Sequence, residues 1–226
     1  MSPLLRFAQN ELQVAALIVM AVVYSLKIRW ILKFPAGRDR QPPSRRADTN
    51  AGRGARLSLL QIANPWGMAS TRQHPFLYLG FAVFHIGVAA SILMSFLIPY
   101  APRAIASPLA VILLEVIFAA AFVAGVARFY RRVRDPYLRA INTPDDYFSL
   151  ALLIVWLALS FLAAPNHPER REWPLLAYFF VTAFFLLYVP FSKISHYLYY
   201  PFARWYLGRT LGYRGVYPLQ KSPTAS

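Results

Sequence analysis

The sequence contains no cysteine. A chain without cysteine forms no disulfide, offers no thiolate nucleophile, and binds neither a zinc–thiolate centre nor an iron–sulfur cluster. It also lacks a glycine-rich nucleotide loop and the pattern of a catalytic triad. We therefore do not expect a complete enzyme. Any iron–sulfur cluster that exchanges electrons with this chain would belong to a partner subunit.

Acidic residues are scarce: 9 Asp and Glu stand against 24 Lys and Arg, which gives a formal net charge of +15. Such a charge can indicate nucleic-acid binding when it forms one soluble basic domain. Here the basic residues fall between long apolar segments instead, so we expect no nucleic-acid partner. The chain is 58% hydrophobic, which is more than is usual in water-soluble domains and favours a lipid environment.

Five segments are long and apolar enough to cross about 30 Å of hydrocarbon, which takes roughly 20 helical residues. They cover residues 12–33, 75–98, 106–128, 146–164 and 174–200. No small-residue cleavage site separates the first segment from a soluble domain, so we interpret it as a retained helix and not as a signal peptide. The sequence thus predicts an all-α membrane protein with a bundle of five transmembrane helices.

The basic residues also predict an orientation. Twenty of the 24 Lys and Arg lie between the first and second helices, after the third, and around the end of the last. With an odd number of helices these three groups share one side of the membrane, and the positive-inside rule makes that side cytoplasmic. We expect the N-terminus outside and the C-terminus in the cytoplasm.

This arrangement divides the chain into three regions. Residues 1–74 hold the first helix, a basic cytoplasmic loop and an interfacial segment; residues 75–205 form a four-helix core; residues 206–226 are a basic cytoplasmic tail. The stretch 37–56 is rich in Arg, Pro, Gly and Ser, and we expect it to bury no core. The next stretch, LSLLQIANPWGM, is amphipathic and predicts an interfacial segment with Trp66 as its anchor.

Two histidines lie in separate apolar segments. His85 is in FAVFHIGVAASILMSF, and His196 ends AYFFVTAFFLLYVPFSKISH. An imidazole in a bilayer is costly without a partner, and two on different helices can hold one haem iron. At a rise of 1.5 Å per residue, His85 lies about 16 Å from the start of its helix and His196 about 12 Å from Arg204, so both fall in the cytoplasmic half. The alternative is that each ring hydrogen-bonds to a Ser, Thr or carbonyl between helices.

Other ionisable residues have open roles. Glu115 lies in the middle of the third segment, where it predicts either a proton or quinone contact, or a carboxyl hydrogen-bonded to Tyr178 or a serine. His74, at the start of the second helix, either contacts a haem propionate or a quinone head or is only interfacial. Asp145 and Asp146 begin the fourth helix and are interpreted as caps.

Basic side chains lie near both histidines in the predicted topology. Lys193 and Arg204 flank His196, and Arg132 ends the third helix. Haem propionates are anionic and favour such partners. The same residues also satisfy the positive-inside rule without a haem, so both roles stay open.

Three stretches carry a family resemblance: FHIG in the second helix, PFSKISH in the fifth, and RRVRDPYLRAINTPDDYFSLALL between the third and fourth. Over roughly residues 75–205 they resemble the gamma subunit of respiratory nitrate reductase and related haem b membrane subunits, including those of heterodisulfide reductases. The resemblance implies two b haems stacked across the membrane, each ligated by one histidine of the second helix and one of the fifth. The positions that match the haem nearer the cytoplasm are His85 and His196.

The ligand positions of the family's other haem do not match. They fall on Ser95 and Tyr178, and neither side chain replaces a neutral imidazole as a b-haem ligand. We therefore expect a single haem b. The family's lysine at the outer quinol site is also missing around Ala106 and Ser107, so a menaquinone or ubiquinone site would lie nearer the single haem.

The resemblance implies a haem b subunit of a respiratory complex in a bacterial or archaeal cytoplasmic membrane. Such a subunit would pass electrons between a membrane quinone and a cytoplasmic iron–sulfur or flavin subunit that docks on the basic inner face. The alternative is a haem-free anchor or scaffold subunit. A small transporter is disfavoured because no helix carries the Gly/Pro breaks that are typical of a substrate site.

Overall fold

A computed structural model describes residues 1–35, 37, 40–43, 49–67 and 69–216. Within these ranges the chain is all-helical and contains no strand. The helices are α1 (Pro3–Lys33), α2 (Ala51–Leu60), α3 (Ala69–Gln73), α4 (Pro75–Tyr100), α5 (Pro108–Arg134), α6 (Pro136–Ile141), α7 (Pro144–Ala163), α8 (Trp173–Tyr188) and α9 (His196–Arg214).

Five helices are long and apolar enough to cross a membrane: α1, α4, α5, α7, and α8 with its continuation to Phe191. This confirms the predicted all-helical, multi-pass membrane protein. The bounds of the second and fourth spans agree with the sequence prediction to within two residues, and the third span extends six residues further, to Arg134. The first span begins at Pro3 instead of residue 12, because Ser2 caps the helix and the polar residues that follow are helical as well.

Proline sets the start of several helices. Ser2, Ser107 and Asp135 each precede a proline, and each accepts a hydrogen bond from a backbone N–H two or three residues later. Thr143 precedes Pro144 in the same way and forms a capping box with Asp146. A cap followed by proline satisfies the free N–H groups of the first turn and fixes φ for the helix.

The predicted fifth helix, residues 174–200, is interrupted, and the prediction of one continuous helix is wrong. Pro190 has no N–H group, and both the N–H and the hydroxyl of Ser192 donate to the carbonyl of Val189 at 3.1 Å. These bonds end the helix. A 3₁₀ turn follows at Lys193–Ser195, and His196 then begins α9. His196 therefore lies five residues past the apolar span that ends at Phe191.

The chain forms two compact units. The first unit contains Met1–Lys27 and Phe76–Ile194, and the second contains Ile28–Pro75 and Ser195–Ser226. This division differs from the regions drawn from the sequence at residues 74 and 205. The reason is that α2 packs on α9, which is remote from it in the sequence.

The core of the first unit lies between its transmembrane helices. Its largest fully buried side chains include Tyr178, Phe118 and Phe179. Helices α4 and α5 approach closely at Gly87, where an added Cβ would lie 2.1 Å from the Cβ of Ala121. The glycine of FHIG is therefore explained by helix packing, as small residues are in membrane bundles.

In the second unit, α2 and α9 pack against each other through faces made of small residues. Gly54, Ala55 and Ser58 of α2 are buried against Gly208 and Gly212 of α9. A Cβ on Gly54 would lie 2.3 Å from the carbonyl oxygen of Gly208. The two backbones thus touch without intervening side chains.

This contact corrects the expectation that residues 37–56 bury no core. From Ala51 onward the segment is helical and contributes Gly54 and Ala55 to a packed interface. The part of the expectation that concerns residues 38–39 and 44–48 lies outside the described residues.

Candidate functional site

His85 is half-buried on α4 and has a fixed ring orientation. Its Nδ1 lies 2.8 Å from the carbonyl oxygen of Phe81, and the two rings have centroids 4.0 Å apart. Since a carbonyl oxygen only accepts, Nδ1 carries the proton and Nε2 carries the lone pair of the neutral imidazole. Metal-ligating histidines are commonly held in this way, with the second ring nitrogen bonded to a carbonyl.

The surroundings of His85 are aromatic and cationic. The guanidinium of Arg128, on α5, lies 6.0 Å from the ring centroid of Phe81 and 5.7 Å from that of Phe84. These distances are within the range of cation–π attraction. A positive charge therefore lies beside the ring that packs on His85.

His196 is exposed at the first position of α9, with the ring of Tyr197 at 6.4 Å. It belongs to the second unit and His85 to the first, so each is placed only within its own unit. Across the described ranges, no three His, Asp or Glu side chains come together as a metal site. A b haem differs from such an ion, because the porphyrin supplies most of the ligands and the protein adds only one or two.

Asp146 has the capping role that the sequence predicted. Its Oδ2 accepts hydrogen bonds from the backbone N–H of Thr143 at 2.8 Å and from the hydroxyl of Thr143 at 2.9 Å. The same oxygen lies 2.5 Å from Nζ of Lys193. Asp146 therefore joins the start of α7 to the turn that follows α8.

Asp145 acts mainly across helices. It accepts hydrogen bonds from the hydroxyl of Tyr188 on α8, from the backbone N–H of Lys193 at 3.0 Å and from the hydroxyl of Ser149 at 3.3 Å. The hydroxyls of Ser149 and Tyr188 are themselves 2.9 Å apart. This network was missed in the sequence, because its partners lie up to 48 residues away.

The three predicted propionate partners all contact protein groups. Lys193 pairs with Asp146. Arg132 donates to the Asn142 side chain at 2.8 Å, and Arg204 donates to the carbonyl of Ser58 at 3.2 Å. In the chain by itself, each of these cations thus already has a partner in its own unit.

Glu115 and His74 lie apart from these networks. Glu115 is half-buried on α5, and its carboxylate makes no hydrogen bond with the residues that the structure describes. The hydroxyl of Tyr178, one of its predicted partners, instead donates to the carbonyl of Ser91 at 2.6 Å. His74 is exposed between α3 and α4.

Ser95 and Tyr178, the positions of the family's second haem ligands, are fully packed. The hydroxyl of Ser95 donates to the carbonyl of Ile92 at 2.8 Å, and the Gln13 amide donates to the carbonyl of Ser95 at 3.1 Å. Tyr178 stacks on Trp156 with ring planes 5° apart. Both hydroxyls are thus bonded to backbone carbonyls in the core.

Further hydroxyls extend this polar core. Those of Ser91 and Ser160 are 2.6 Å apart, and the indole N–H of Trp156 donates to the hydroxyl of Thr182 at 2.9 Å. All four side chains are buried. Buried polar groups in a membrane bundle are stabilised when they bond to each other in this way.

Lys27 supplies a contact that no local pattern indicated. Its Nζ donates to the carbonyl of Pro190 and lies 5.5 Å from the ring centroid of Phe191. The first helix, which the family resemblance does not cover, thus reaches the segment that precedes His196.

Comparison with known proteins adds one relative. No protein-family model matches the sequence. A protein of Nitratidesulfovibrio vulgaris (strain Hildenborough), whose name states no function, is 30% identical over 167 residues, which cover 69% of this chain and 70% of that protein.

Proposed function

This chain belongs to the same family as the Nitratidesulfovibrio vulgaris protein, and from its candidate site we propose that it is a haem b membrane subunit of a respiratory oxidoreductase complex. One haem b would be held by His85 and His196. The subunit would pass electrons between membrane menaquinone or ubiquinone and a cytoplasmic iron–sulfur or flavin subunit. When bound, the haem supplies a one-electron carrier within the membrane.

The hydrogen bond from Nδ1 of His85 to the carbonyl of Phe81 carries this proposal. It fixes the tautomer in which Nε2 is the basic nitrogen, as a ligand to iron requires. His85 lies inside a membrane span, where an imidazole without a function is costly. His85 therefore fits the proposed group.

A single haem is proposed because the side chains of Ser95 and Tyr178 are buried and hydrogen-bonded within the protein core. Their hydroxyls are bonded to the carbonyls of Ile92 and Ser91, and Tyr178 is fully buried. A second haem there would have to break these bonds and displace the stacked indole of Trp156. The packing supports one haem near His85 and none beside Tyr178.

The charge of the second unit supports the proposed orientation and partner. It contains 13 Lys and Arg against two Asp, whereas the first unit contains 11 against seven acids. By the positive-inside rule this unit would be cytoplasmic and the N-terminus outside. Arg53, Arg56 and Arg209 are exposed on it, and they fit a partner with an acidic surface.

Glu115 and His74 are proposed contacts for quinone or protons. A half-buried carboxyl in a span, with no hydrogen bond to the described residues, is costly without such a role. His74 is exposed at the start of a span, where a quinone head could reach it.

The test is a reduced-minus-oxidised spectrum of the purified chain with pyridine haemochrome quantification. We expect about one b haem per chain, and its loss in His85→Ala and His196→Ala. His167→Ala is the matched control. Its ring is exposed and pairs with Glu169 at 2.9 Å, so the haem content is expected to stay unchanged.

Each other result has a defined meaning. Two haems per chain would show a second ligand pair and contradict the single-haem proposal. Full haem content in His196→Ala would exclude His196 as a ligand. A wild-type chain without haem, under conditions of sufficient haem supply, would favour a haem-free anchor or scaffold subunit.

A further inference from the structure

Arg128 is a cation within a membrane span. It lies on α5, six residues before that helix ends at Arg134, and it is half-buried. Its guanidinium makes no hydrogen bond and no ion pair with the residues that the structure describes. A guanidinium carries five N–H donors, and burying them in a membrane without acceptors is costly. We therefore expect an acceptor that the described part of the chain does not supply.

The neighbouring cations of the first unit differ from Arg128 in this respect. Arg132 donates to the Asn142 side chain at 2.8 Å and lies 3.7 Å from the carboxylate of Asp146. Lys193 pairs with the same carboxylate at 2.5 Å. These two cations thus have acidic partners within the described residues, whereas Arg128 has none.

Packing fixes Arg128 close to His85. A Cβ on Gly125, three residues before Arg128, would lie 3.0 Å from the ring of Phe84, so this ring packs directly on α5. The guanidinium of Arg128 lies 5.7 Å from the ring centroid of Phe84 and 6.0 Å from that of Phe81. The same two rings have centroids 5.9 Å and 4.0 Å from that of His85. The guanidinium and the imidazole therefore share two aromatic neighbours, and all these residues belong to the first unit.

We propose that Arg128 binds a propionate carboxylate of the haem that His85 would ligate, an inference that rests on the proposed haem function. One guanidinium can donate two parallel hydrogen bonds to a carboxylate, and such charge-assisted bonds are strong. The rings of Phe81 and Phe84 attract the cation but supply no oxygen acceptor, so its N–H groups remain for the carboxylate. A phospholipid phosphate offers the same kind of anionic oxygen, so the test has to distinguish these two sources.

This assignment predicts an effect of Arg128 on the haem potential. Ferric haem carries one more positive charge than ferrous haem, so a nearby cation stabilises the ferrous form. Arg128→Gln removes that cation and leaves the propionate unpaired, and the midpoint potential is expected to fall. At a fixed potential we expect the ratio of ferrous to ferric haem to decrease about tenfold, which corresponds to about 59 mV for a one-electron carrier.

The test compares Arg128→Gln with Arg128→Lys in the full-length chain. Redox titration gives the midpoint potential, and resonance Raman spectroscopy reports the propionate bending mode. Arg128→Lys keeps the charge but loses the two-pronged donor, so it is expected to restore most of the potential while the propionate mode stays shifted. Arg131→Gln is the matched control, because it removes the same charge from an exposed position on the same helix and is expected to change neither readout.

Measurements in two environments identify the source of the anion. Each variant is studied in maltoside micelles without phospholipid and in vesicles of phosphatidylglycerol and phosphatidylcholine. A propionate partner predicts the same effect of Arg128→Gln in both environments. An effect that appears only in the vesicles would assign Arg128 to a phospholipid phosphate and overturn the inference.

The remaining outcomes separate this inference from the proposed function. If the wild type carries haem and Arg128→Gln changes neither the potential nor the propionate mode, the role of Arg128 is overturned and the haem function stands. Equal effects in Arg131→Gln would reduce it to general surface charge and also overturn it. If Arg128→Gln does not retain haem, an unshifted propionate mode in Arg128→Lys would overturn it instead. A wild type without haem would overturn the proposed function, and the role of Arg128 with it.

Discussion

The two units join their helices in different ways. In the first unit, hydrogen-bonded hydroxyls and stacked aromatic rings join the helices. Examples are the bond from Tyr178 to Ser91 and the stacking of Tyr178 on Trp156. In the second unit, glycines let the backbones of α2 and α9 touch. The difference matters because lipid surrounds the spans and provides no hydrophobic driving force between them, so packing and hydrogen bonds must hold them together.

Charge separates the units as clearly as packing does. The second unit has two acidic residues in its sequence, Asp39 and Asp48, and both lie outside the described residues. Its contacts therefore cannot depend on many ion pairs of its own. The close approach at Gly54 and Gly208 stabilises the second unit against the mutual repulsion of its basic side chains.

The largest expected effect is on this glycine contact. Gly54→Ala places a Cβ 2.3 Å from the Gly208 carbonyl oxygen and 2.7 Å from Cα of Gly212. Backbone atoms cannot move aside as a flexible side chain can, so we expect a loss of about 2 kcal/mol in the stability of the packed pair of α2 and α9. Amide exchange in α2 and α9 would then be about 30-fold faster.

Gly52→Ala is the control for that prediction. It lies on the same helix, and its Cβ would meet only an Asn50 side-chain oxygen at 3.5 Å, an ordinary contact. Because alanine favours a helix over glycine, exchange is expected to be unchanged or slower. If amide exchange in α2 and α9 is the same in the two variants, the close packing of these helices does not stabilise the unit.

A smaller effect is expected in the first unit. Tyr178→Phe keeps the stacked ring but removes the hydroxyl that donates to Ser91. We expect a loss of about 1 kcal/mol in the free energy of unfolding, since hydrogen bonds between membrane helices contribute roughly this much. The measurement is unfolding of the detergent-solubilised chain. Tyr137→Phe, at an exposed tyrosine, is expected to be neutral; equal effects would mean that the buried hydroxyl adds no stability.

The smallest effect is expected at the contact between Ser2, which caps the start of α1, and Glu172, which directly precedes α8. The backbone N–H of Ser2 donates to Glu172 at 2.6 Å, and this bond lowers the pKa of Glu172 below its ordinary value. A carboxyl with a lowered pKa stabilises the fold above its unfolded-state pKa, and this contribution is lost as the pH falls through the folded-state pKa. The stability difference between wild type and Glu172→Gln is thus expected to be present at pH 7 and to vanish in acid.

Melting temperatures measured from neutral pH down to strongly acidic pH test this prediction. Glu11→Gln serves as the comparison, because the Glu11 carboxylate makes no hydrogen bond with the described residues. A difference for Glu172→Gln that grows as the pH falls would have the wrong sign and would reject the Ser2 contact as its source.

The membrane spans were predictable because apolar composition over some 20 residues is a strong signal. The start of α1 was not, since Arg6, Asn10 and Glu11 lower the apolar count of its first turns although Ser2 caps it. The caps at Thr143 and Asp146 were also predictable, because they depend on residues three positions apart.

The site was predictable only in part. Composition favoured a continuous helix through residues 174–200, and the single Pro190 was outweighed by its apolar neighbours. The α2–α9 contact had a local signal in the spacing of Gly208 and Gly212, but the arginines around it suggested a solvated loop. The bond from Asp145 to Lys193 depends on the tertiary fold and has no local signal.

The length of α1 has a consequence for its tilt. At 31 residues it spans about 46 Å, which exceeds the roughly 30 Å of hydrocarbon. A long span commonly adjusts its tilt to the local bilayer thickness. This helix is fastened to the first unit at three heights, by Ser2 with Glu172, Gln13 with Ser95, and Lys27 with Pro190. Protein contacts therefore set the angle of its Met1–Lys27 part within the first unit, and we expect a thinner membrane to adjust to that part instead of tilting it.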